Sequence, residues 1–124
     1  MTRREILQSD KLPVPAAPYS VATIWGDLLF TSGQVASDTE QDIEGQTEQV
    51  MEKLKAIMAE AGTGFEHALK ATCFLTDISE FARFNDVYRR YVGDDKPARS
   101  TIECNLAGPA FKVEVDMVVG IPRG

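Results

Sequence analysis

Apolar residues recur along the chain at two spacings, a period of two and a period between three and four, and their order predicts an α+β fold. Residues 4–8 form a short first strand candidate. Residues 11–20 then hold Pro13, Pro15 and Pro18, which exclude a helix and predict a stiff, extended loop. That loop reads either as a linker or as a wall presenting Tyr19. Residues 21–25 and 28–31 are rich in β-branched and aromatic side chains, and the Gly26-Asp27 link between them predicts a hairpin. Ser32-Gly33-Gln34 ends its second strand. The glycine leaves backbone uncovered there, which suits the close approach of a ligand or a simple bend.

From residue 42 to 61 the period lengthens. Val50, Leu54, Ile57, Met58 and Ala61 fall on one face of a helix, with Glu48, Glu52, Lys55 and Glu60 opposite. Asp42 and Glu44 suit its N-terminus, and Gly62 is placed to end it. His67 opens the next strand region, where alternation returns: Leu69, Ala71, Cys73 and Leu75 share one face, Lys70, Thr72, Phe74 and Thr76 the other. Asp77 or Ser79 caps a second helix over residues 80–92, whose apolar stripe is Phe81, Phe84, Val87, Tyr88 and Tyr91. Two strands close the chain. In the first, Arg99, Thr101 and Glu103 alternate with Ser100, Ile102 and Cys104; in the second, residues 111–119, Phe111, Val113, Val115, Met117 and Val119 alternate with Lys112, Glu114 and Asp116. The turn at residues 106–110 predicts that these two strands pair as a hairpin, with both apolar rows toward the helices and Arg99, Glu103, Glu114 and Asp116 on one free face. The expected architecture is one domain over residues 1–124, a mixed sheet of about six strands with two helices packed on one face.

Composition narrows the function. A net charge of −6 with a pI near 4.7, and no basic cluster beyond Arg89-Arg90 and Arg3-Arg4, argue against nucleic acid as partner. No window is apolar enough to span a bilayer, and no apolar signal-peptide core follows the charged start, so a membrane is not expected as partner and the cytoplasm is the expected compartment. Cys73 and Cys104 lie in apolar runs and read as small buried hydrophobes, with a disulfide or a reactive thiol as the alternative. A lone histidine excludes a histidine-based triad or a multi-histidine metal site, and no metal is expected.

The polar row around Arg99 reads either as a solvated face or as the place where a small-molecule ligand is met. Arginine cannot serve as a base, but its planar fork grips a carboxylate through two parallel hydrogen bonds. A carboxylate such as Glu114, with its pKa raised by burial, can orient or deprotonate water. Together they suffice to add water to an already electrophilic small acid.

The segments Ala17-Pro18-Tyr19-Ser20, Phe30-Thr31-Ser32-Gly33-Gln34, Asp42-Ile43 with Gln46-Thr47, Phe74-Leu75-Thr76-Asp77, Phe84-Asn85-Asp86-Val87-Tyr88, Pro97-Ala98-Arg99-Ser100 and Val113-Glu114-Val115-Asp116 give the chain its likeness. It resembles the RidA (YjgF) family of reactive-intermediate deaminases. The resemblance implies a chorismate-mutase-like fold and a homotrimer with a central barrel and ligand clefts between subunits. It further implies hydrolysis of enamine and imine intermediates, such as 2-aminoacrylate or 2-iminobutyrate, to 2-keto acids and ammonia, without cofactor or metal. Carried over, Arg99 holds the substrate carboxylate, Glu114 positions the attacking water, and Tyr19, Ser32, Gly33, Phe81, Asn85 and Thr101 line the cleft. Ala17 stands where a glycine is usual, and Thr101 where many members have cysteine. A specialised catabolic deaminase of the aminomuconate type, a carboxylate-binding or chaperone-like trimer, and a ribonuclease are the competing readings.

Overall fold

The computed structural model describes residues 2–123. Its elements are β1 (Arg4–Ile6), β2 (Ala22–Trp25), β3 (Leu28–Thr31), α1 (Ile43–Glu60), β4 (Ala68–Leu75), α2 (Phe81–Val92), β5 (Ala98–Glu103) and β6 (Val113–Gly120). One six-stranded mixed sheet runs in the order β1-β2-β3-β6-β4-β5. All neighbours are antiparallel except β4 and β5, which are parallel. The fold class is the expected one.

Local chemistry explains the elements. Gly26 takes a positive φ of 61° in the tight β2–β3 turn, a conformation that favours glycine. Asp42 caps α1 by accepting a hydrogen bond from the Gly45 N–H at 2.9 Å. Val50, Met51, Leu54, Ile57 and Met58 are fully buried beneath that helix against Leu29, Val115, Met117 and Val119. Gln46 and Thr47 are buried too. The Gln46 amide donates to the carbonyls of Thr39, Gln41 and Ala110, each at 3.2 Å, and its oxygen accepts from the Lys112 N–H at 3.0 Å. A buried amide so satisfied pins the segment before β6 to the first turn of α1.

Several boundaries differ from expectation. β1 ends at Ile6 rather than residue 8, and β6 starts at Val113, leaving Phe111 outside it. His67 lies in a 3-10 turn (Phe65–His67), and a second such turn (Ile78–Glu80), capped by Asp77 rather than Ser79, precedes α2. A register shift at the start of β4 turns Leu69 outward, 52% exposed. A bulge supplies one extra residue, so Ala68 and not Leu69 continues the buried row.

The largest correction concerns the last two strands, which do not pair as a hairpin: β4 lies between them. The chain leaves β4, runs through α2 and returns as β5 in the same direction, as a crossover helix requires of a parallel pair. Register then decides the faces. Arg99 sits opposite Ala71 and Thr101 opposite Cys73, both buried under the helices. Glu114 sits opposite Phe74 and Asp116 opposite Thr72, in the row that faces away from them. Arg99, Thr101 and Glu103 therefore share the helix side, and Glu114 and Asp116 the open side. The Glu103 carboxylate accepts from the Ile78 N–H at 2.8 Å, anchoring the approach to α2. Ile102, expected to face the core, is 46% exposed.

Candidate active site

Four residues of α2 aim at Arg99. Phe81, Phe84, Asn85 and Tyr88 follow the i, i+3, i+4, i+7 pattern that puts them on one helical stripe. The guanidinium carbon of Arg99 lies 5.4, 5.6 and 4.8 Å from the ring centroids of Phe81, Phe84 and Tyr88. Its Nη1 donates to Asn85 Oδ1 at 2.8 Å. Phe84 and Tyr88 are buried, while Phe81 is 37% exposed at the rim. Arg99 itself is half-buried, and among the described residues it has no carboxylate partner. Thr101 lies two positions along the same side of β5. Burial pushes the Tyr88 phenol up to about 12, and its buried hydroxyl has no hydrogen-bond partner among the described residues. Burial also pushes the Cys73 thiol up to about 12. Neither cysteine is in a disulfide, and Cys73 behaves as the small buried hydrophobe expected.

A second cluster occupies the open face and the end of β3. A Cβ added to Gly33 would lie 2.1 Å from Glu114 Oε2, so the carboxylate rests directly on the glycine backbone. Ser32 is fixed beside it: its N–H donates to the Val21 carbonyl at 2.9 Å, and its hydroxyl to the Ser20 carbonyl. Tyr19, 56% exposed, faces this end of the sheet. It lines a cleft of about 150 Å³ with Pro13, Pro15, Gly33 and Gln34. The proline-rich loop is thus a wall and not a linker. Glu114 is half-buried, and burial first, then the neighbouring Asp116 charge, raises its pKa above the usual carboxylate value. Asp116 is raised by burial as well.

The eight residues singled out from the sequence thus fall into two groups. Arg99, Asn85, Phe81 and Thr101 stand on the helix side; Tyr19, Ser32, Gly33 and Glu114 gather at the open side. β5 and β6 are two strands apart, about 10 Å, and their key side chains point in opposite directions. A substrate of three or four carbons cannot touch both within one chain. The sequence places Asp116 on the same face as Glu114 but gives it no role, and it shows Phe84 and Tyr88 as core alone. The i, i+3, i+7 spacing with Asn85 was the available signal. Among the described residues no cluster of His, Cys, Asp or Glu could hold a metal ion, and no helix is long and apolar enough to cross a membrane.

The protein is thus a helix-backed α+β sheet in which a guanidinium without a carboxylate partner among the described residues lies over aromatic rings, and a carboxylate rests on a glycine. The family model described as Endoribonuclease L-PSP matches residues 9–121, and the chain belongs to that family, the YjgF/RidA family. It is 39% identical over 123 residues to Protein DfrA of Myxococcus xanthus, covering 93% of this chain and 94% of that protein. A RutC family protein of Pyrococcus abyssi is 36% identical over 121 residues, covering 93% and 95%. Among solved structures, RidA of a Psychrobacter species superposes with a TM-score of 0.86 at 31% identity, over 94% of this chain and 99% of that one. A Rid family protein of Yersinia pestis gives a TM-score of 0.87, also at 31% identity, over 96% and 100%.

Proposed function

We propose that the protein is a cytoplasmic, hydrolytic deaminase of reactive enamine and imine intermediates, releasing a 2-keto acid and ammonia. It works as a single-domain homotrimer with its clefts between subunits, and its two free thiols fit a reducing compartment. The observation that carries this reading is Arg99, a half-buried cation with no carboxylate partner among the described residues. Its aromatic bed and Asn85 leave guanidinium N–H groups for a substrate carboxylate.

The placement of Arg99 and Glu114 on opposite faces supports a shared cleft, with one subunit's Arg99 meeting a neighbour's Glu114. Apolar residues exposed on the open face, Ile6, Trp25 and Phe30, suit burial against such a neighbour. In the reaction the enamine gains a proton at carbon and loses one from nitrogen, giving the imine. Glu114 takes a proton from water as the water oxygen bonds to the imine carbon, and the nitrogen takes up a proton from solvent. Glu114 then returns its proton to the amino nitrogen, the C–N bond breaks to release ammonia, and the hydroxyl proton passes to solvent as the C=O bond forms. No cofactor or metal enters this scheme. The substrate is intrinsically labile, so positioning supplies most of what is needed. Thr101 favours a second reading in which the preferred substrate is more polar, such as a dicarboxylic enamine of the aminomuconate type; side-by-side rates separate the two.

The test is keto-acid release from 2-iminobutyrate generated in situ by a threonine dehydratase. We expect acceleration by the protein, and a loss of about a hundredfold or more in kcat/KM for Arg99→Ala, the cost of removing the cation from a buried ionic contact. No acceleration, or full activity in Arg99→Ala, overturns the proposal. Saturable binding of small carboxylates without turnover would instead establish a binding protein, and RNA cleavage by homogeneous protein would establish a ribonuclease.

A further inference from the structure

Tyr88 and Phe84 are deeply buried, yet they sit where a cation sits on them. A guanidinium can be held in two ways: by its N–H edge, through carboxylates and carbonyls, or by its flat face, through aromatic rings. An edge-held arginine spends the donors a ligand would use. A face-held one keeps them. Among the described residues Arg99 has a single side-chain hydrogen bond, Nη1 to Asn85, and its guanidinium carbon lies over three rings, the nearest being Tyr88 at 4.8 Å. We propose that Tyr88, backed by Phe84, is a positioning residue that grips the face of the Arg99 guanidinium, presenting its free N–H edge to an anionic substrate group. This rests on the proposed carboxylate role of Arg99 and extends it to residues otherwise explained as core.

The ring face, not the hydroxyl, does the positioning. Among the described residues the hydroxyl has no partner, whereas the ring contact is direct. Phenylalanine at this position keeps the face, and leucine fills similar space without one. The rotamer entropy of a free arginine is substantial, so loss of the grip should weaken anion binding and leave the chemistry of bound substrate nearly untouched.

The experiment compares wild type, Tyr88→Phe, Tyr88→Leu and Phe81→Leu. It reads kcat and KM for 2-iminobutyrate hydrolysis, and calorimetric binding of 2-oxobutyrate and of its uncharged carboxamide, with circular dichroism to check folding. For Tyr88→Leu we expect KM and the 2-oxobutyrate Kd to rise about tenfold, as befits loss of a desolvated cation–π contact, with kcat and carboxamide binding little changed. Tyr88→Phe should stay close to wild type. Phe81→Leu, at the exposed rim, should show the same pattern at about threefold, and it decides the matter if Tyr88→Leu fails to fold. Unchanged KM and Kd in the folded leucine variants overturn the proposal. So does a Tyr88→Phe defect equal to that of Tyr88→Leu, which would assign the work to the hydroxyl. If wild type binds 2-oxobutyrate but turns nothing over, the deaminase reading fails while the binding arms still judge the grip.

Discussion

Arg99 and Glu114 belong to one sheet, yet the chain prepares them differently. Arg99 is furnished from within: α2 brings three rings and an amide to it along one stripe. Glu114 lies on the open face over Gly33, beside a second carboxylate, with its pKa raised by burial and by Asp116. The proposed binding half is complete within one chain. The half proposed to handle water holds a carboxylate above its usual pKa, which makes it a better proton acceptor.

The largest effect that sharpens this contrast is expected for Glu114→Gln. Loss of a general base lowers kcat by about a hundredfold or more, with KM little changed. The same substitution should raise thermal stability near neutral pH. The sign follows from linkage: a carboxyl whose pKa is higher in the folded state contributes stability that is present below its unfolded value near 4 and lost as pH rises through the folded one. Thermal melts should therefore show the variant above wild type at neutral pH and level with it below about pH 4. Lower stability at neutral pH would contradict the picture.

Gly33→Ala is expected to be next in size. Its new Cβ would stand 2.1 Å from Glu114 Oε2, so the carboxylate must swing aside. Misplacement of about an ångström costs kcat roughly tenfold to a hundredfold. The atom displaced is the end of a flexible side chain, and the melting temperature should barely move. A large drop in stability with unchanged kcat would show that the glycine serves the fold instead. The smallest effect is expected for Asp116→Asn. Removing the charge that helps raise Glu114 should move the acid limb of the pH–rate profile to lower pH, and an unmoved limb would break the coupling.

Much of the fold was legible. Asp42 at the start of α1, Gly26-Asp27 as hairpin turn and the buried stripe of α1 follow from local rules that tertiary packing did not override. The failure came at β5. Alternation shows that two rows differ, and the polar row is ordinarily assigned to the outside. Here the polar row turns inward because Arg99 is accommodated by rings on α2, and because a helical crossover made β5 the parallel partner of β4. Neither is visible in the period of the strand. The site was legible as a set of residues and illegible as an arrangement: nothing in the spacing of Arg99 and Glu114 says that a whole sheet lies between them.

That arrangement is tested most directly by mixing two inactive variants. Arg99→Ala and Glu114→Gln, purified separately, are co-refolded in equal amounts and assayed for imine hydrolysis. If each cleft joins one subunit's Arg99 to a neighbour's Glu114, random cyclic assembly leaves about a quarter of the clefts with both residues intact. Recovery of about that share of wild-type activity is expected. Activity no higher than that of either variant alone, in assemblies shown to be mixed, would place both residues in one subunit's site and contradict the account.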